Sequence, residues 1–283
     1  MIRIAVRAAA LLAVACAAQG ANAGNWTWTD RPFDGTWVIR PEQTVFDRDL
    51  RAPVLSFEGG MFRRGDCRGG AIEVPADGHD HKVKDQLLFD ALSVRLRNDR
   101  LAEITEKLAS KVVWSGRYAV SAGGDAMTLD YEDHRAAKPV AGEVTFHREG
   151  EAVNGSRPLS GTWRPDKLAH LSASGLTLTF TTQPAVSDAD RALPFSLVAG
   201  DGRSATGRLD AHDIPLQGYL PGSSVAIGRL RPDTLQINTS VNGQVVEMSR
   251  AIVSSDAQTM TLGQIDWVCQ AKTIFTLQKQ TTQ

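Results

Sequence analysis

The densest set of groups able to do chemistry is His79-Asp80-His81, two imidazoles around a carboxylate. Alternate residues of an extended strand share a face, so these rings could stand together as two ligands of a metal such as zinc. No third ligand is evident, and the turn signal Ala76-Asp77-Gly78 comes immediately before. A turn in which an Asp side chain accepts backbone hydrogen bonds accounts for the same residues, and no metal site is assigned. His134, His147 and His170 are isolated, and no Ser or Cys sits in a Gly-x-Ser-x-Gly elbow. The neighbouring carboxylates Glu132 and Asp133 read as a solvated pair rather than as an acid and a base. No catalytic residue and no cofactor is assigned.

The remaining reactive groups are three cysteines, Cys16, Cys67 and Cys269. Residues 1–23 run from Met-Ile-Arg-Ile-Ala-Val-Arg through an Ala/Leu/Val stretch to Ala21-Asn22-Ala23, the charged, apolar and small-residue order of a secretory signal. The mature chain is expected to begin at Gly24, in the periplasm or outside the cell. Anchoring as a lipoprotein through Cys16 is the competing reading, with Ala13-Val14-Ala15-Cys16 as its cleavage box. Loss of Cys16 leaves Cys67 and Cys269 as an even pair in an oxidising compartment, where a disulfide is expected, with two separately buried thiols as the alternative. Such a bridge would close a loop of about 200 residues, for which chain entropy allows roughly 5 kcal/mol.

Charge narrows the partners. With 31 basic and 32 acidic residues the net charge is −1, which supplies no general field for nucleic acid or anionic lipid. A small apolar molecule or a cell-envelope protein is the expected partner. No later stretch approaches the roughly eighteen consecutive apolar residues that cross a bilayer as a helix.

The elements that carry these residues come in two copies. Residues 103–113 align without a gap on residues 236–246, an offset of 133, and the same offset matches Asp77-Gly78-His79-Asp80 with Asp210-Ala211-His212-Asp213 and Met127-Thr128-Leu129 with Met260-Thr261-Leu262. The openings, Gly35-Thr36-Trp37 and Gly161-Thr162-Trp163, agree at an offset of 126. Each copy spans about 115 to 120 residues, within the usual domain range. The chain therefore reads as a signal over 1–23, one domain over 24–150, a polar Gly-containing linker over 151–158, and a second domain over 159–283.

Within each copy, short alternating segments such as Leu176-Thr177-Leu178-Thr179-Phe180 predict half-buried strands. Turn signals such as Gly123-Gly124-Asp125 and Val241-Asn242-Gly243 separate them. The fold class is all-β, with about eight to ten strands per copy in sequential hairpins, which fits a barrel or a sandwich; the antiparallel barrel is preferred because closure removes exposed edges. Trp26 and Trp28 precede the first copy and alternate as on an edge strand, so they are expected to pack against a barrel mouth or between the domains.

Gly35-Thr36-Trp37 and Gly161-Thr162-Trp163 resemble the Gly-x-Trp signature that opens the first strand of lipocalins. The resemblance implies two tandem lipocalin-like barrels in which each Trp packs across the closed base beneath a basic side chain from the last strand. Arg148 is the candidate cation for Trp37 and Lys279 for Trp163, and a cation over a Trp face is favourable by about 0.5 to 2 kcal/mol. The function implied is binding of a small apolar molecule in a barrel cavity. A structural or protein-interaction module of the cell envelope, with filled barrels and no ligand, is the alternative.

Thiol titration of the mature protein, unfolded without reductant, checks the cysteine reading. The expected result is no free thiol, and two titratable thiols would rule the bridge out.

Overall fold

The computed structural model describes residues 26–47, 53–65, 71–151, 155–184, 192–266 and 271–280. The signal over 1–23, Cys16 and the expected pairing of Cys67 with Cys269 lie outside the described residues. The fold is all-β, with two nearly closed antiparallel barrels of 10 strands each in tandem. No helix among the described residues is long and apolar enough to cross a membrane.

Period-two alternation builds the walls. In the strand Leu101–Leu108, Ala102, Ile104 and Glu106 are buried and their neighbours are not, so one face looks into a core. The two copies share irregularities as well as strands. Breaks in register fall between Asp77 and Asp80, Leu96 and Asn98, and Glu106 and Lys107. They recur between Asp210 and Asp213, Arg229 and Arg231, and Thr239 and Ser240, each 133 residues on. Hairpin turns match too: Ala109 and Ser110 have φ of 48° and 66°, and Asn242 and Gly243 have φ of 51° and 76°. Positive φ at both central positions suits the right-handed twist of the flanking strands.

The grouping of strands differs from the grouping of the sequence copies. In the first barrel, the strand Gly161–Leu171, which opens the second copy, lies between Val54–Glu58 and Val140–Glu149. In the second barrel, Gly35–Ile39, which opens the first copy, lies between Thr177–Thr182 and Ala271–Lys279. The first barrel thus comprises strands within 54–171, and the second comprises strands within 35–46 and 177–279. The boundary expected at 151–158 falls inside the first barrel, in the connection between two of its paired strands.

This exchange corrects the pairing expected for the two tryptophans. Arg148, not Lys279, sits over Trp163, 4.2 Å from its ring centroid, and Lys279, not Arg148, sits over Trp37 at 5.4 Å. The strand Val140–Glu149 pairs with the next strand along the chain, and a short connection closes at little entropic cost. The first opening strand is left for the last strand of the chain, and Trp37 comes opposite Lys279.

The opening motif explains itself at this site. Both indoles are fully buried, and each Nε1 donates to a carbonyl four residues back, Trp37 to Phe33 at 2.7 Å and Trp163 to Leu159 at 3.0 Å. Gly35 has φ of +120° and Gly161 has φ of +149°, and a Cβ there would lie 2.8 Å from Lys279 Cε and 2.2 Å from Arg148 Nη1. Glycine therefore leaves the space through which the cation reaches the ring. Arg148 also donates from Nε to the Gly124 carbonyl and from Nη1 to the Ser160 carbonyl, both at 2.7 Å. The residue before each glycine ties the barrel across copies: Asp34 accepts from the Thr182 amide at 2.8 Å, and Ser160 Oγ accepts from the Phe57 amide at 2.9 Å.

Trp37→Ala is expected to cost about 3 to 5 kcal/mol. Hydrogen exchange should then rise first in strands 177–182 and 271–279, the neighbours of Trp37 in the second barrel. A first rise in 140–149 would overturn the exchanged arrangement.

Candidate functional site

The two barrels meet through loops. Residues 134–139 of the first barrel reach the second, where the Ala137 amide donates to the Gly218 carbonyl at 2.9 Å and the Lys138 amide to the Asp201 carbonyl at 2.8 Å. In return Leu220 enters the hydrophobic core of the first barrel, and Tyr219 packs against both cores. Leu87 and Leu88 pack against Val241 and Val246.

Between the barrels lies a cavity of about 510 Å³. From the first barrel Leu129, Tyr131 and Asp133 line it, alternate residues of one strand, and from the second Ile237, Leu262 and Phe275 line it. Gly142 stands opposite Tyr131, and a Cβ there would lie 2.5 Å from the ring, so the glycine accommodates the phenol. Burial pushes both Tyr131 and Tyr219 up to about 12, so both stay neutral.

Charged groups line or border this apolar space. Arg135 donates from Nη1 to Asp133 Oδ2 at 2.9 Å and from Nη2 to Glu106 Oε2 at 2.5 Å. Arg64 Nη1 lies 3.9 Å from Glu106 Oε1. Burial pushes the Glu106 carboxyl up, and Arg135 and Arg64 pull against that shift. Across the cavity Arg203 donates from Nε to Asp201 Oδ2 at 2.7 Å, and its guanidinium lies 5.4 Å from the Tyr219 ring centroid. Glu247 on the wall accepts from Ser249 Oγ at 3.2 Å and from Gln264 Nε2 at 2.5 Å. Burial raises the Glu247 carboxyl most strongly, Arg203 opposes the shift, and Asp266 adds to it.

The residues singled out from the sequence lie elsewhere. Trp37, Trp163, Arg148 and Lys279 form the two capped cores and do not line the cavity. In the strand Asp77–Lys82, Asp77 Oδ1 accepts from the His79 amide and meets His81 Nε2, both at 2.9 Å, the turn-type arrangement. Asp210 accepts from the His212 amide at 3.1 Å in the second copy. Glu132 and Asp133 separate, Glu132 lying 3.5 Å from His134 and Asp133 pairing with Arg135. Trp28 packs beneath Arg229, which also donates to its carbonyl at 2.7 Å. Glu247, Glu106 and Arg203 were missed. For the two glutamates the one sequence signal is phase, since Glu247 and Ser249 continue the inward series Val253, Ala251 along the strand Gln244–Val253 and Glu106 continues Ala102, Ile104 along Leu101–Leu108, whereas Arg203 lies in a turn and carries none.

Comparison with protein-family models, with curated proteins and with solved structures returns no match.

A carboxyl whose folded pKa is raised takes up a proton on folding, so its contribution is most favourable below the unfolded value, about 4.3, and is lost as pH rises through the folded value. Glu247→Gln, which needs no proton, should therefore raise the melting temperature relative to wild type at pH 7 to 8 and not at pH 4. A difference independent of pH would contradict the assignment.

Proposed function

We propose that this protein is an exported, lipocalin-like binding protein that holds a small, largely apolar molecule in the cavity shared by its two barrels. The cavity carries the reading. Its volume of about 510 Å³ falls within the roughly 300–1,000 Å³ of small-molecule sites, and its walls are mainly apolar with a few placed polar groups. The lipocalin-like part draws support from the two nearly closed barrels and from a Gly-x-Trp opening in each whose Trp lies beneath a cation of a neighbouring strand. Export draws support from the signal-like order of residues 1–23.

The test is native mass spectrometry of the mature protein from the compartment to which it is exported, compared with the denatured mass. A reproducible extra mass that leaves on denaturation is expected, and Leu262→Trp, which fills part of the cavity, should abolish it while leaving cooperative melting in place. A bare chain at the sequence mass across independent preparations would overturn the reading in favour of an envelope interaction module.

A further inference from the structure

Most of the charges in and beside the cavity are answered. Asp133 and Glu106 are paired with Arg135, and Asp201 is paired with Arg203. Glu247 differs. Its hydrogen-bond partners, Ser249 and Gln264, are both neutral, and no basic side chain among the described residues forms an ion pair with it. Its carboxyl lies deep in the protein, yet the residue retains accessible surface and lines the cavity wall. An ionised carboxylate in such a place is strongly disfavoured unless a cation joins it. Thr239 and Gln264, on the same wall, offer further oxygen acceptors, as an ammonium with three N–H donors requires. Elsewhere the walls are mainly apolar, with Ile237, Leu262 and Phe275 on one side and Leu129, Val144 and Leu168 on the other, and the other charged groups on them, Asp133, Asp201 and Arg203, are paired within the chain.

We propose that the ligand is a cationic amphiphile, an alkyl or aryl amine whose ammonium group pairs with Glu247 while its apolar body fills the space between the barrels. The inference rests on the cavity reading above and adds the chemical class of the ligand. In the empty cavity, burial favours the protonated Glu247 acid, with Asp266 adding to that and Arg203 opposing it. When the ammonium arrives, the carboxyl proton passes to solvent and the ion pair replaces it. A free carboxylate ligand has no such exchange available and meets Asp133, Asp201 and Glu247 on walls where the cation Arg203 is already paired with Asp201.

Displacement of 1,6-diphenylhexatriene from the full mature protein tests this, with dodecylamine, dodecanol and dodecanoate as competitors of matched chain length. Dodecylamine is expected to displace the reporter at a concentration at least about tenfold lower than dodecanoate, with dodecanol between them. Glu247→Gln should bring the ratio of amine to carboxylate concentrations close to one. If that variant loses the barrel circular-dichroism spectrum, the wild-type ratio decides alone. Dodecanoate competing as well as dodecylamine, or a ratio unchanged in a folded Glu247→Gln protein, would overturn the amine assignment while leaving the cavity reading intact. Failure of diphenylhexatriene and all three competitors to bind would overturn the cavity reading itself, and this inference with it.

Discussion

A β-sheet becomes a barrel only when its edge strands find partners, because unpaired backbone N–H and C=O groups otherwise face solvent or another chain. In this protein the strand that joins the two parts of each wall comes from the opening of the other sequence copy, and the remaining seam of each nearly closed barrel lies between strands consecutive in the chain, Ile72–Pro75 beside Asp77–Lys82 and Ser204–Arg208 beside Asp210–Pro215. The constraint is met economically. Gly161–Leu171 folds back on the strand just before it, and Gly35–Ile39, from near the beginning of the chain, closes against the last strand, Ala271–Lys279. Each exchanged strand brings a Trp into the core and a glycine under a crossing cation, so one short motif supplies backbone pairing, a large buried ring and the route to its cap.

The exchange makes the two barrels mutually dependent. The second barrel takes one strand from residues that precede the first barrel, and the first takes one from residues that follow the linker, and each such strand links two parts of its sheet. Docking then proceeds through loops near one end of the barrels, with Tyr219 shared between the cores and Leu220 inserted in the first. Buried ion pairs accompany that contact. Each lies within one barrel, Arg135 and Arg64 with Glu106 and Asp133 in the first and Arg203 with Asp201 in the second, and their desolvation offsets much of their attraction, so they are not a main source of stability. What they enclose is an apolar space with one carboxyl, Glu247, that neutral neighbours alone hydrogen-bond.

That carboxyl accords with a general trade between stability and function. A buried carboxyl whose nearest acting cation, Arg203, is already bonded to another carboxylate, Asp201, costs stability, and such groups persist where a ligand supplies a further charge. The capped tryptophans are the opposite case: each indole N–H finds a carbonyl and each ring a cation within the chain, Arg148 being held by carbonyls as well, and they lie outside the cavity.

Composition, alternation and the 133-residue offset were enough to determine an all-β chain built twice, because strand period and turn chemistry are local properties written in adjacent residues. The repeat was legible down to the hairpin turns at Ala109-Ser110 and Asn242-Gly243, and the Gly-x-Trp openings and their two cations were legible as residue types. Which cation meets which Trp was not. Arg148 and Lys279 are chemically interchangeable over an indole, and only the connection between strands distinguishes them. The cavity was illegible for a related reason. Glu247, Gln264, Asp133 and Arg203 are ordinary polar residues on separate strands and loops, and their inward phase and their meeting between two barrels exist only once closure and docking have brought them together. The sequence by itself determined the strands and their duplication, and the tertiary structure alone decided the exchange and the site.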